Sequence, residues 1–226
     1  MVEWIRPYIP NLLDYFPEFL VSIKETLIML GISGIFTFIL GLTLGIVLVV
    51  SKPTGILPNR WIHGVLDRIV NFFRSIPFII LLAALIPITR LIMGTGLGVK
   101  GAIFPLVVGA TPFFLRQVDM ALSNVDPGLI EAAQAMGSTP IEIIFRVLLR
   151  ESIPSLARGT SITMISLIGL TAMGGAVGGG GIGAFVIRYG YNRFMTDITY
   201  VSVVVIWIMV SIIQSVGNLV VKKTTH

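Results

Sequence analysis

Few side chains in this sequence could perform chemistry, and their spacing differs from that of an enzyme active site. There is no Cys, which removes thiol chemistry and Cys-based metal sites, and the two histidines, His63 and His226, lie far apart in the chain. No segment matches the G-x-x-x-x-G-K-[ST] pattern of a nucleotide-binding loop. The sequence therefore predicts no catalytic residue and no metal site, and it predicts that this chain is not itself an ATPase.

One pair of opposite charges, Arg116 and Asp119, falls near the end of an apolar segment. Being three residues apart on a helix, the two side chains can pair with each other, which is the interpretation we favour. Carriers driven by ion gradients usually place Asp, Glu or His within their membrane helices. Because the centres of the apolar segments carry no charge, uphill transport by this chain would need an energy source elsewhere.

The helices that must position these residues are apolar enough to cross a membrane. Hydrophobic residues make up 55% of the 226 and charged residues only 12%, about half the charged share of a soluble domain. Since a helix of roughly 20 apolar residues spans a bilayer, we predict an all-α membrane protein that forms one transmembrane domain over 1–226. This composition excludes a soluble enzyme and makes a nucleic-acid partner untenable. The five predicted spans lie at about 21–50, 70–92, 99–122, 154–174 and 198–221.

The distribution of basic residues predicts the orientation of these spans. An odd number of spans leaves the two termini on opposite sides of the membrane. A cytoplasmic C-terminus places ten of the sixteen Lys and Arg residues inside and six outside, which agrees with the excess of basic residues in cytoplasmic loops. We therefore predict that the N-terminus is outside and the C-terminus inside.

The polar segment at about 126–151, between the third and fourth spans, predicts two short helices joined by a turn. Asp126 is suited to cap the first helix, and Gly137 to end it. Thr139 and Glu142 have the spacing of a capping box for the second helix, which Pro154 ends. Such a hairpin either transmits force from a soluble partner or is an ordinary amphipathic connector. The second helix is expected to bury one apolar stripe, made of Ile141, Ile144, Phe145, Leu148 and Leu149.

Glycines crowd the end of the fourth span, where they weaken a helix. The cluster predicts either a pliable gate or a flexible loop, and we favour the gate. Near the start of the second span, Ser75 and Pro77 either line a transport pathway or, in the case of Pro77, only begin the helix. The glycines of the predicted gate are Gly174, Gly175, Gly178, Gly179, Gly180, Gly181 and Gly183.

Three segments resemble one family of transport proteins. The sequence EAAQAMG, from Glu131 to Gly137, resembles the EAA motif of the membrane subunits of ABC importers. The segments NFFRSIPFIILL (71–82), GLIEAAQAMGSTP (128–140) and AMGGAVGGGGIG (172–183) are similar to the permeases of methionine ABC importers. The likeness extends from about residue 20 to residue 221.

This resemblance implies a permease in a bacterial inner membrane that works as a homodimer. Its partners would be two cytoplasmic ABC ATPase subunits and an extracytoplasmic substrate-binding lipoprotein, and its substrate would be methionine. The ATPase would use ATP and Mg²⁺, and this chain would bind no cofactor. Alternatives are a permease for another neutral amino acid and, from another class, an ion-coupled carrier or a channel.

The resemblance also implies a role for the residues of the EAA motif. The segment from Glu131 to Gly137 would form a coupling helix that docks into a groove of the ATPase. Ala132 and Ala133 would be small to allow close contact, and Gly137 would form the elbow. Glu131 would either offer a carboxylate to the partner or cap a neighbouring loop.

Overall fold

The computed structural model describes residues 6–224, and every regular element within that range is helical. Three short stretches have the wider turns of a π-helix, at Ile143–Leu148, Gly175–Gly179 and Val186–Tyr191. The α-helices are α1 (Pro10–Asp14), α2 (Phe16–Val50), α3 (Arg60–Ser75), α4 (Phe78–Met93), α5 (Gly98–Ser123), α6 (Pro127–Ala135), α7 (Pro140–Glu142), α8 (Leu149–Glu151), α9 (Ile153–Gly174), α10 (Gly181–Phe185) and α11 (Thr196–Thr224).

Four helices are long and apolar enough to cross a membrane, judged by length and composition over the described residues. They are α2, α5, α9 with the turn that follows it, and α11. Their bounds lie within five residues of the predicted first, third, fourth and fifth spans. The pair α3 and α4 passes the same test only when both helices are counted together, and it would supply a fifth span.

The predicted second span is broken in the structure. The sequence predicted one helix over 70–92, whereas α3 and α4 meet at an angle of 109°. Pro77 has no N–H to donate and disfavours a helical conformation in the residue before it, and Ile76 accordingly has φ −88° and ψ 123°. The stretch 70–75 therefore belongs to α3, and Pro77 both bends the chain and precedes the first residue of α4.

The described residues form two compact units, each assembled from separate parts of the chain. The first contains 6–36, Pro77–Gly109 and Met164–Ile213. The second contains Thr37–Ile76, Ala110–Thr163 and 214–224. Four of the five boundaries fall inside α2, α5, α9 and α11, so each of these helices contributes residues to both units, and the fifth lies between α3 and α4.

The first unit has a core rich in aromatic side chains. Phe19 at the beginning of α2 packs 5.4 Å from Phe185, and Phe185 lies 5.0 Å from Tyr189, measured between ring centroids. Tilted ring pairs at such distances add to the gain from burial. Leu12 and Ile198 complete this cluster, so that α1, α10 and the beginning of α11 are held on the beginning of α2.

The core of the second unit joins α2, α5 and the helical hairpin. Phe114, Val118 and Leu122 follow one face of α5 and are buried. Val49 of α2 and Leu148 of the hairpin pack against them. The hairpin is therefore anchored on a membrane helix by an apolar contact.

Close packing in the second unit depends on two glycines of α2. A methyl group on Gly41 would lie 2.6 Å from Cδ1 of Phe114, and one on Gly45 would lie 2.6 Å from Cγ1 of Val118. Small residues four apart allow two helices to approach closely in a membrane. The spacing Gly41 to Gly45 thus serves helix packing.

Replacing Gly45 by Ala is expected to reduce stability by about 1–3 kcal/mol through overpacking, since the β-branched Val118 cannot easily move away. Unfolding of the purified protein by increasing SDS in mixed micelles measures the change. The matched control is Gly31→Ala on the same helix, where a new Cβ has no neighbour within 4 Å. Equal stability of the two variants would contradict the packing role.

Candidate functional site

The hairpin between α5 and α9 begins with a capped helix. Asp126 precedes α6, and its carboxylate accepts a hydrogen bond of 2.9 Å from the backbone N–H of Gly128. Pro127 occupies the first helical position, where its missing N–H costs nothing. Both features agree with the sequence pattern and set the first residue of α6.

The turn of the hairpin is built around Gly137. Its φ of +79° lies in the left-handed region that favours glycine. The N–H of Gly137 donates to the carbonyl of Gln134 (2.9 Å), and the N–H of Ser138 donates to that of Ala133 (3.1 Å). These are the two bonds of a Schellman motif, which satisfies the last carbonyls of a helix. The elbow therefore has one defined geometry.

The second arm of the hairpin begins with a capping box. The backbone N–H of Thr139 donates to the carboxylate of Glu142 at 2.9 Å, and the N–H of Glu142 donates back to the Thr139 hydroxyl oxygen at 3.4 Å. The bonds from the Thr139 backbone and hydroxyl, and then the charge of Arg146 at 3.5 Å, hold the pKa of Glu142 below its ordinary value. The charged carboxylate therefore caps this arm at neutral pH, and the contribution is lost only as the pH falls through that lowered pKa.

The buried face of the second arm differs from the predicted stripe. Ile144 and Leu148 are buried as predicted, and so is Ile143, which the prediction left out. Ile141 and Phe145, by contrast, are 67% and 64% exposed. The wide turn Ile143–Leu148 has more residues per turn than an α-helix, so an α-helical spacing assigns its faces wrongly. The arm also ends at Glu151, before Pro154 is reached.

The residues of the EAA-like segment point in different directions. Ala133 is buried within its own unit, whereas Ala132 and Glu131 are exposed. Ala133 therefore supports the packing of α6 on its own chain, and Ala132 remains on the outer surface. Large apolar side chains stand exposed on the same hairpin: Leu129, Met136, Ile141 and Phe145.

A cavity of about 620 Å³ adjoins α6 in the second unit. Glu131, Gln134 and Ile130 of α6 line one side of it, and the loop after α2, including Lys52, lines another. Polar and apolar groups both face this space. Glu131 thus stands at the edge of an open cleft.

Four charged side chains form a network at the end of α5. Asp119 accepts hydrogen bonds from Lys52 at 2.6 Å and from Arg116 at 3.2 Å. Arg116 also pairs with Asp67 of α3 and donates to Asn71 of α3 at 2.8 Å. The predicted pairing of Arg116 with Asp119 is present, and the network ties α3 and the loop after α2 to α5.

Glycines break the helix at the end of α9. Gly178, Gly180 and Gly181 have φ values of +93°, +81° and +75°, a conformation that costs other residues roughly 1–2 kcal/mol. The turn Gly175–Gly179 ends the span, and α10 begins at Gly181. Gly174 and Gly183 border this break.

Two polar side chains of α2 hold the beginning of α10. The carboxylate of Glu25 accepts a hydrogen bond from the N–H of Gly181 at 2.7 Å, and the hydroxyl of Thr26 accepts one from the N–H of Ile182 at 2.8 Å. Free N–H groups at a helix N-terminus need such acceptors. These anchors were not predicted, because no local pattern links residues 156 positions apart.

The predicted pathway residues Ser75 and Pro77 lie at the junction of α3 and α4. The hydroxyl of Ser75 donates to the carbonyl of Phe72 at 2.8 Å, so it serves its own helix in this conformation. Both residues are exposed within the single chain.

Comparison with known sequences identifies relatives. A family model described as "Binding-protein-dependent transport system inner membrane component" matches residues 38–224. A protein of Vibrio cholerae described as "Probable D-methionine transport system permease protein MetI" is 44% identical over 207 residues, which are 92% of each chain. The D-methionine transport system permease protein MetI of Escherichia coli K12 is 49% identical over 154 residues, covering 68% of this chain and 71% of that protein.

Comparison with solved structures identifies the same kind of protein. A chain from "Inward facing conformations of the MetNI methionine ABC transporter" superposes with a TM-score of 0.92 at 44% identity, covering 94% of this chain and 99% of the other. A chain of an amino acid ABC transporter with histidines has a TM-score of 0.78 at 15% identity, over 95% and 98% of the two chains. The second likeness concerns the fold alone.

Replacing Asp119 by Asn is expected to lower stability by about 2 kcal/mol, because Lys52 and Arg116 then lose their shared, partly buried carboxylate. The control is Asp14→Asn, which breaks a pair with Arg6 at 3.7 Å between side chains that are 61% and 68% exposed. That control should change stability by less than about 0.5 kcal/mol. Unfolding in detergent measures both, and a larger loss in the control would refute the network's contribution.

Proposed function

Because this chain belongs to the family of binding-protein-dependent transport system inner membrane components, we propose that it is the membrane-spanning permease subunit of an ATP-driven methionine importer. The observation that carries the proposal is the 44% identity, over 92% of both chains, to a protein described as a "Probable D-methionine transport system permease protein". The TM-score of 0.92 to a chain of a methionine ABC transporter supports the same substrate.

The working assembly is a dimer of this permease with two ABC ATPase subunits and an extracytoplasmic binding protein. The structural relatives support this composition, since one is a MetNI methionine ABC transporter and another is an alginate ABC transporter in complex with a substrate-bound periplasmic protein. ATP and Mg²⁺ are used by the ATPase subunits. This chain supplies the membrane pathway and the surface through which the ATPase acts.

The hairpin at about 126–151 is the coupling segment that contacts the ATPase. Its exposed apolar residues support this role, because Met136 and Phe145 are 79% and 64% exposed on a short polar element and an exposed apolar patch often marks an interface. Glu131 and Ala132 lie on the outer side of α6 and contact the partner. Ala133 faces away from the partner and packs α6 against its own unit. The orientation with the N-terminus outside and the C-terminus inside places this hairpin in the cytoplasm.

The stiffness of the hairpin suits it to transmit force. Asp126, Gly137 and the Thr139–Glu142 box fix the beginning and the end of its helices. Leu148 joins it to the apolar core of α5. When the ATPase subunits close on ATP, they move the docked hairpin, and the hairpin carries α5 with it.

The glycine-rich stretch 174–183 is the gate of the pathway. Backbone that lacks side chains can change conformation at low cost, and the hydrogen bonds to Glu25 and Thr26 hold this stretch in its present conformation. Ser75 and Pro77 stand at the other proposed pathway position, where the chain bends between α3 and α4. Methionine is a neutral zwitterion, so a pathway without fixed charges is adequate for it.

Uptake in proteoliposomes tests the proposal. We expect labelled methionine to accumulate only when the chain is assembled with its ATPase, the binding protein and ATP. Unlabelled methionine should compete, whereas other neutral amino acids should compete poorly. Accumulation by the chain alone under an ion gradient would refute the proposal. Competition led by another amino acid would change the substrate and leave the mechanism intact.

Two substitutions in the hairpin test the coupling role. Gly137→Pro is expected to abolish uptake, because proline cannot adopt the φ of +79° of the elbow. Glu131→Lys is expected to reduce uptake at least about tenfold by placing a like charge against a surface that accepts a carboxylate. Membrane insertion and dimer formation should be unchanged in both. The control Asp14→Lys reverses an exposed charge far along the chain and should transport normally, and normal uptake by both hairpin variants would exclude the role.

Single glycine substitutions test the gate. Gly178→Ala and Gly181→Ala should each lower uptake about fivefold, since a positive φ is strained by about 1 kcal/mol or more with a side chain present. Gly169→Ala is the matched control within α9, where a new Cβ meets nothing within 4 Å and φ is ordinary. Initial rates of methionine uptake at equal protein amounts measure the effect. Three indistinguishable variants would show that the glycines only shape a loop.

A further inference from the structure

Helix α3 carries an apolar face that no described part of the chain covers. Trp61, Ile62, Val65, Ile69 and Phe72 are all exposed, with Trp61 at 82%. Their spacing places them within one third of the circumference of a helix. An exposed tryptophan beside four large apolar side chains is costly in water.

The apolar face forms one wall of a groove against α2. We call it the α3 groove; its cavity measures about 400 Å³, and every residue that lines it is apolar. This volume lies within the range of cavities that hold small molecules. The lining residues are Leu44, Val47, Trp61, Ile62, Val65, Leu66 and Ile69.

The other side of α3 is bound to its own unit, so the helix cannot roll to hide this face. Val70 is buried beside Leu48, and Nδ1 of His63 lies 3.0 Å from the carbonyl oxygen of Leu48. Asp67 pairs with Arg116 of α5. The apolar face therefore stays outward whenever these contacts are made.

A positive charge borders the apolar face. At 100° per residue, Arg68 lies between the polar side of α3 and the positions of Trp61 and Phe72. Arg68 is exposed and forms none of the ion pairs found within residues 6–224. A helix with an aromatic apolar face and basic residues beside it is typical of segments that lie at a membrane surface.

The groove is continuous with the membrane. Leu44 and Val47 belong to α2, whose most apolar window has a mean hydropathy of 2.4. The exposed side chains of such a span face lipid tails. The groove therefore starts on this surface, and its α3 wall belongs to an apolar face that Arg68 borders, so an apolar site and a cation lie on the same helix.

We propose that the α3 groove binds an acyl chain of an anionic phospholipid, with Arg68 contacting the lipid phosphate or headgroup. The charge of Arg68 selects anionic over zwitterionic headgroups, and the apolar lining holds the chain. A second copy of this protein or the ATPase is the competing occupant. Either would exclude lipid from the same surface.

Quenching of Trp61 fluorescence tests the proposal in the full-length chain assembled with its ATPase in nanodiscs. Trp4→Phe and Trp207→Phe leave Trp61 as the single tryptophan. Brominated phosphatidylglycerol is expected to quench Trp61 more than brominated phosphatidylcholine does at the same mole fraction. The expected local enrichment is about fivefold, which is the effect of one basic residue close to an anionic surface.

Three further variants test whether Arg68 causes the preference for the anionic lipid. Arg68→Gln should remove the preference while quenching persists, and Arg68→Lys should keep most of it. Arg158→Gln, which removes another exposed arginine, should keep all of it. Absence of quenching by either lipid would overturn the proposal, since a protein then covers the face. Equal quenching by both lipids in the unchanged chain would overturn it as well. The readout does not involve methionine uptake, so its failure is separate from any failure of the proposed function.

Discussion

A backbone polar group placed in hydrocarbon must find a hydrogen-bond partner inside the protein, and this constraint shapes the whole chain. It explains why every regular element between residues 6 and 224 is helical. It also determines where a helix can stop. The break after α9 frees N–H groups at Gly181 and Ile182, and these bond to Glu25 and Thr26 of α2. A conformation that depends on two side-chain acceptors is stable when they are engaged and movable when they are released, which suits a gate.

Charges in the second unit follow a related rule. Asp119 and Arg116 are partly buried on an apolar helix, and each has partners in other parts of the chain. These pairs fix the positions of α3 and the loop after α2 relative to α5. The pair between Asp67 and Arg116 also holds α3 with its apolar face outward, which is the face that we propose binds lipid.

The evidence for fold and the evidence for substrate come from different degrees of likeness. A chain with 15% identity has a similar fold, because one helical fold can be built from many sequences. The evidence for methionine as the substrate comes from relatives that are 44% and 49% identical to this chain. They are described as a probable D-methionine transport system permease and a D-methionine transport system permease. The hairpin depends on both local and long-range contacts. Its caps are formed by neighbouring residues, whereas its packing on α5 is a tertiary contact. Its exposed apolar residues form the surface that we propose the ATPase contacts.

Features set by neighbouring residues could be predicted from the sequence. Apolar length determined four spans, and the caps at Asp126, Gly137 and Thr139 were readable because each bond joins residues at most five positions apart. Which side chains are buried was harder to predict from the sequence. Phe145 is exposed because it lies in a wide helical turn, and Ala133 is buried because of how α6 packs on its own unit. Only the folded chain decided the anchors of Glu25 and the tie between Asp67 and Arg116, since these join residues 156 and 49 positions apart. The bend at Pro77 was open in the sequence, because a proline can start a helix or kink one. Hydrogen bonds between neighbouring residues require particular residue types at fixed spacings, so they can be predicted from the sequence. Long-range contacts arise only when the whole chain packs, and no local sequence pattern predicts them.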